Sequence, residues 1–154
     1  MILENNSILS GTVPATGVIT GQAITATAVS TNTLDLSVAR DIGEGDDLYV
    51  VFTIVAAFNN LTSLTIDVIG ATDTALSTGV VTLGSAGAVA LASLTAKAQF
   101  AVRINPALFS KGTQYIGAKY TVTGTAPSTG SVNAYVVNDI GDGKKYYASG
   151  FSVI

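Results

Sequence analysis

Apolar and polar residues alternate with a period of two along most of the chain. Leu64, Ile66 and Val68 interleave with Thr65, Asp67 and Ile69, and Ala98, Phe100, Val102 and Ile104 interleave with Gln99, Ala101 and Arg103. That period places successive side chains on opposite faces of a strand. Ile24, Ala26 and Ala28, alternating with Thr25, Thr27 and Val29, predict a first strand, closed by the turn residues Ser30-Thr31-Asn32. Thr33 to Ser37 predict a short second strand with Leu34 and Leu36 on one face. Leu48 to Phe58 form a long apolar run, a strand covered on both faces, and Asn59-Asn60 turns the chain. Gly79 to Gly84 and Val89 to Leu91 predict short strands around a Gly-Ser-Ala-Gly turn. Asn105-Pro106 ends the strand that begins near Ala98, and Pro106 to Gly112 read as a loop with room for one helical turn. Tyr115 to Thr123 and Val132 to Val137 predict a hairpin across residues 124–130. No stretch keeps a capped stripe of period 3.6, so helices are not expected.

About eight strands at this spacing predict an all-β antiparallel sandwich, in the form of a jelly roll, with a barrel as the alternative closure. Residues 23–139 form the sandwich domain. Residues 1–22 are rich in Gly, Thr and Ser and read as an extended N-terminal arm, and residues 140–154 read as a C-terminal arm. The chain-starting Met-Ile-Leu-Glu-Asn-Asn lacks the basic and apolar regions of a secretion signal.

Composition changes the picture by what is missing. The 154 residues include no His, no Cys and no Trp, and only 11% are charged. Ordinary domains carry about 25%. Without His or Cys there is no imidazole base, no thiolate and no Cys/His zinc site, so an enzyme is not expected, nor a cofactor or metal. The net charge of −3 argues against nucleic-acid binding through phosphates. The charge-free stretches are broken by Gly, Pro, Asn and hydroxyl residues, and no flanking Lys/Arg cluster sets an orientation, so no membrane span is expected. A surface so poor in charge is explained either by Thr, Ser, Asn and Gly supplying its polarity or by burial against other subunits, and the second reading is favoured.

Two loops echo one another: Asp41-Ile-Gly-Glu-Gly-Asp-Asp-Leu-Tyr49 and Asp139-Ile-Gly-Asp-Gly-Lys-Lys-Tyr-Tyr147. The shared Gly-acid-Gly suits a turn. Asp41, Glu44, Asp46 and Asp47 also cluster oxygen ligands, but at a spacing unlike an EF-hand loop. A third reading sets Lys144 and Lys145 of one copy against Asp46 and Asp47 of a neighbour, a contact that fixes register more than affinity. Tyr146, Tyr147 and Phe151 lie on a tail with little core of its own and read as anchors on a neighbouring surface. Ile2, Leu3, Ile8 and Leu9 read the same way for the N-terminal arm. Tyr115, Tyr120, Tyr135, Tyr146 and Tyr147 leave a sugar-stacking platform as the alternative.

The stretch Gln22-Ala-Ile-Thr-Ala-Thr-Ala-Val-Ser-Thr-Asn-Thr-Leu-Asp-Leu36, followed by Ala39-Arg-Asp-Ile-Gly-Glu-Gly-Asp-Asp-Leu-Tyr-Val-Val51, resembles the small jelly-roll cement (decoration) proteins of tailed-bacteriophage capsids. Tyr115 to Asn138, with Tyr-Thr-Val-Thr-Gly124 and Ala-Tyr-Val-Val137, resembles the last hairpin of that family. The resemblance covers residues 20–139; the arms 1–19 and 140–154 depart from it. It implies a structural virion protein on the outer surface of the head, a homodimer or homotrimer that bridges subunits of the major capsid protein and stabilises the shell. A carbohydrate- or receptor-binding β-sandwich of a phage fibre is the alternative.

Overall fold

The computed structural model describes residues 7–12, 20–37, 48–109 and 112–138, and every structural statement below refers to these. They form ten strands: β1 (Ile8–Ser10), β2 (Gln22–Ala23), β3 (Ala28–Val29), β4 (Leu34–Asp35), β5 (Tyr49–Ala56), β6 (Leu61–Ala71), β7 (Val81–Ala90), β8 (Gln99–Arg103), β9 (Tyr115–Gly124) and β10 (Ser131–Val137). Single 3-10 turns occur at Leu91–Ser93 and Pro106–Leu108. The second is capped by Asn105, whose side chain accepts a hydrogen bond from Ala107 N–H, with Pro106 preset at its start.

Two antiparallel sheets result. In the first, β1 and β2 both flank β10, which pairs with β5, which pairs with β8. In the second, β3 and β4 both flank β9, which pairs with β6, which pairs with β7. β1 and β2 are one interrupted edge: Ile8 and Ser10 face Tyr135 and Ala134, and Gln22 and Ala23 face Val132 and Ser131. Paired main-chain hydrogen bonds between Thr12 and Thr20, each 2.9 Å, join the two pieces. β3 and β4 interrupt the other edge in the same way, with Ala28 opposite Tyr120 and Leu34 opposite Ile116. The strands thus fill eight positions, four per sheet. Between those eight positions, with β1/β2 and β3/β4 each taken as one, every connection but β6–β7 passes from one sheet to the other. That order is a jelly roll.

Three sequence expectations change. The Tyr115–Thr123 and Val132–Val137 strands do not form a hairpin. β9 pairs along its whole length with β6, β10 pairs with β5, and residues 125–130 cross between sheets. The run from Gly79 to Leu91 is one strand, β7, rather than two. Its central Gly-Ser-Ala-Gly is absorbed by register shifts against β6, with Gly87 at φ 73°. The predicted first strand is split, because residues 24–27 carry the chain from one sheet to the other.

The main core lies between the sheets. Val50, Phe52 and Ile54 of β5, with Leu9, Val102, Val132 and Ala134, meet Leu64, Ile66, Val68, Leu83, Ile116, Ala118 and Tyr120 of the second sheet. Each is the inward member of an alternating run, so the period of two in the sequence becomes one buried layer. The ends are tied by polar brackets. Asn59 Oδ1 accepts from Ser128 and Thr129 N–H at 2.9 and 3.0 Å, joining the β5–β6 and β9–β10 connections. Gly130 lies so close to the Phe58 ring that a Cβ there would come within 2.3 Å of it.

Candidate functional site

The described residues hold no group of three or more acidic side chains placed to bind a metal ion. Nor does any helix among them have the length and apolarity to cross a membrane. The outer sides of the two sheets differ.

The outer face of the second sheet is polar. Ser63, Thr65 and Asp67 of β6 alternate with inward Leu64 and Ile66, and Lys119, Thr121 and Thr123 of β9 alternate with inward Ala118, Tyr120 and Val122. Asp67 stands opposite Lys119 in the ladder and accepts a hydrogen bond from the Ser85 hydroxyl. One end of this face is closed by the β6–β7 loop, which lays Leu76 against Ile69 and Ala71, with Val29 and Tyr115 alongside. Asp73 shapes that loop, accepting from Ser77 Oγ at 2.7 Å, Ser77 N–H at 2.9 Å and Thr78 N–H at 2.8 Å. The Ser77 hydroxyl first, and then the two amides, hold the Asp73 carboxyl below its ordinary pKa.

The outer side of the first sheet carries an apolar cluster. Ile8, Val51, Tyr135 and Val137 form a separate buried cluster, 2–6% exposed, with Tyr49 beside it. Burial raises the Tyr135 pKa, and a hydrogen bond to Thr53 opposes the shift. Farther along this face Gln99 Nε2 donates to Thr53 Oγ1 at 3.2 Å, and Val55 is 37% exposed.

β1 is bound into both sheets. Asn133 Nδ2 donates to Ser10 O at 2.9 Å, Leu9 O accepts from Asn32 N–H at 2.9 Å, and Ser10 Oγ meets the Tyr120 hydroxyl at 2.7 Å. The Asn133 amide is buried, and its Oδ1 has no partner among the described residues.

These placements revise the expected contact residues. Ile8 is 2% exposed and Leu9 0%, in two different clusters of the sandwich. The arm expected over 1–22 is therefore integrated into the first sheet at residues 8–10, where Ile8 and Leu9 serve the chain's own packing rather than a neighbour's. A pair of adjacent apolar residues in a polar stretch was the available signal; one turns to each face. Ile2, Leu3, Asp41, Glu44, Asp46, Asp47, Lys144, Lys145, Tyr146, Tyr147 and Phe151 lie outside the described residues. The sugar platform loses its described members: Tyr120 is fully buried, Tyr135 is 6% exposed, and Tyr115 packs in the Leu76 cluster. The described residues carry only Asp35, Asp67, Asp73, Lys97, Arg103 and Lys119 of the chain's 17 charges (7 basic plus 10 acidic).

The two antiparallel sheets and their strand order define an all-β jelly-roll protein. Its sequence matches the Bbp16 family over residues 18–136, and the chain belongs to that family. No curated protein matches it.

Proposed function

We propose that this chain is a capsid cement protein, which binds the outer surface of a phage head and bridges subunits of the major capsid protein. The observation that carries this reading is the scarcity of ions in a chain that folds as a jelly roll: 11% of its 154 residues are charged. A surface of this kind is economical when much of it is covered by other subunits, since large permanent interfaces resemble a domain core cut in two. The stretch that resembles cement proteins, 20–139, overlaps the family match almost completely.

The physical task is resistance to pressure. Genome packing pushes capsid subunits apart, and a protein that binds only the assembled lattice stabilises it by mass action. Many copies across many joints multiply a modest gain per site. Exposed main-chain edges also suit strand addition to a neighbour.

The test is to mix the purified chain with heads lacking it and to pellet them. A cement protein saturates at a fixed ratio to the major capsid protein and raises the temperature at which heads release DNA. A chain that stays in the supernatant at every concentration, with head stability unchanged, refutes the proposal. A thermal shift produced by glycans instead of heads would point to the fibre-module alternative.

A further inference from the structure

We propose that β1 is a load-release latch: when the chain before residue 7 and the chain after residue 138 are drawn apart, β1 unzips from β10 and yields slack while the rest of the sandwich stays folded. The inference takes from the capsid reading only the source of the load, two ends of one chain held at different points of a shell under pressure. The release itself follows from strand topology.

The chain enters and leaves the sandwich at one place. Ile8 opens β1 opposite Tyr135, and β10 ends at Val137. The two strands are antiparallel, so the start of one lies beside the end of the other. A pull between them loads their ladder from its open end, pair by pair, instead of shearing every bond together. β10 does not yield first, because β5 holds it along its whole length, from Val137 opposite Tyr49 to Ser131 opposite Ala56. β1 pairs with β10 at Ile8 and Ser10, with a register shift between them.

So short a ladder does not set the release load; a clasp behind it does. Leu9 is seated in the main core, and its carbonyl accepts from Asn32 N–H at 2.9 Å. Ser10 O accepts from Asn133 Nδ2 at 2.9 Å, and Ser10 Oγ meets the Tyr120 hydroxyl at 2.7 Å. These bonds reach the turn after β3, β10 and β9, and all of them leave from two residues, so they part together. The paired main-chain bonds of Thr12 and Thr20 are loaded next, again from their open end.

At Gln22 the load meets a stop. Gln22 Nε2 donates to Val29 O at 2.7 Å, and its Oε1 accepts from Thr31 N–H at 3.0 Å, which ties β2 to β3 and the turn after it. Ile24 is fully buried in the core, and its N–H donates to Gly130 O at 3.1 Å. Past this point the chain crosses to the second sheet, and further extension requires the sheets to part. The slack between Ile8 and Gln22 is about 45–50 Å when extended. A chain end that opens while the global fold persists is a local unfolding unit.

The experiment stretches the full chain in optical tweezers through handles on its two ends, with Ser10→Ala as the variant. The wild type should lengthen in two events. The first adds about 45–50 Å and reverses on relaxation; the second, at higher force, unfolds the sandwich. Ser10→Ala should shorten the lifetime of the closed latch at constant force by about tenfold, as loss of one buried hydrogen bond does. It should leave the second event where it was, because that event starts with β1 already free. The second event also reports, in the same trace, that the variant is folded. A wild type that ruptures in one event, a first event of another length, or a Ser10→Ala chain in which both events move together overturns the proposal. No heads enter this test, so its failure leaves the capsid reading to the pelleting assay, and a chain that ignores heads leaves the latch standing.

Discussion

Ser10 Oγ and the Tyr120 hydroxyl lie 2.7 Å apart inside the sandwich, although 110 residues separate them in sequence. Ser10 ends β1 in the first sheet, and Tyr120 hangs from β9 in the second, with its ring edge-on to Phe52 at 6.1 Å between centroids. The bond crosses the core and satisfies two hydroxyls that water cannot reach. Tyr120→Phe leaves the Ser10 hydroxyl unpaired and should cost about 1–3 kcal/mol in urea unfolding. Ser10→Ala should cost a similar amount by orphaning the tyrosine. The double variant should cost less than the sum, because it removes both polar groups together. Strictly additive costs would show that the two hydroxyls do not depend on one another.

The same tyrosine gives the protein an alkaline limit. Burial raises the Tyr120 pKa far above its ordinary value of 10.0, and the bond to Ser10 only partly opposes the rise. A raised folded-state value means that the unfolded chain loses this proton first. The contribution is therefore full below pH 10.0 and is lost as pH rises above it. Tyr135, also raised by burial, adds to the loss with the same sign. The urea midpoint should fall steeply above about pH 10, and Tyr120→Phe should make that fall shallower. An identical alkaline slope in the variant would contradict the assignment.

Much of the layer structure was legible in the alternation itself. β8 and the middle of β6, Leu64 to Val68, keep a period of two, and their inward residues lie in the core. The 3-10 turn after Asn105 was also legible, from Pro106 and its cap. The sheet to which each strand belongs was not. A run such as Val132–Val137 pairs equally well in pattern with any antiparallel neighbour, and only crossing connections decide that β10 meets β5 rather than β9. β1 and β2 escaped as well, since two or three residues carry no measurable period, whereas β3 and β4 fall inside the strands expected over 24–29 and 33–37. Ile8 and Leu9 show the cost of that: flanked by polar residues they read as an arm, yet they seat β1 in two clusters. Most expected contact residues belong to segments outside the described ones, so the pattern argument for them has no geometric counterpart.

Gly117 marks a place where backbone permits packing. A Cβ at Gly117 would stand 2.3 Å from Leu76 Cδ1 and 2.8 Å from Ser30 Oγ. Leu76 itself sits at φ 53°, a conformation uncommon for leucine, which lets the β6–β7 loop press its side chain onto the sheet. Gly117→Ala should destabilise by about 1–3 kcal/mol through overpacking. Leu76→Ala should also destabilise, by uncovering Ile69 and Ala71, but in the Leu76→Ala background the added methyl at Gly117 should cost much less. Thermal unfolding of the four chains checks this. An undiminished cost in that background would mean that Leu76 is not what excludes the methyl.

Asp73 sets an acid limit in the same loop. Its lowered pKa arises from the Ser77 hydroxyl first and then from the Thr78 and Ser77 amides, all donating to the charged form. A depressed folded-state value means that the contribution is present above the unfolded value of 3.8 and is lost as pH falls through the folded value. Acidification should therefore loosen the 72–80 loop before the sandwich melts, because the carboxylate is solvent-facing while Leu76 beneath it is 4% exposed. The amides of Ser77 and Thr78 should lose hydrogen-exchange protection as pH falls below 3.8, beyond the change expected for exposed amides. In Asp73→Asn the protection should be lower at neutral pH and should not change further on acidification. Retained protection of both amides in that variant would show that the turn is held by Leu76 packing and by the Thr72–Thr78 main-chain bond, with the carboxylate a bystander.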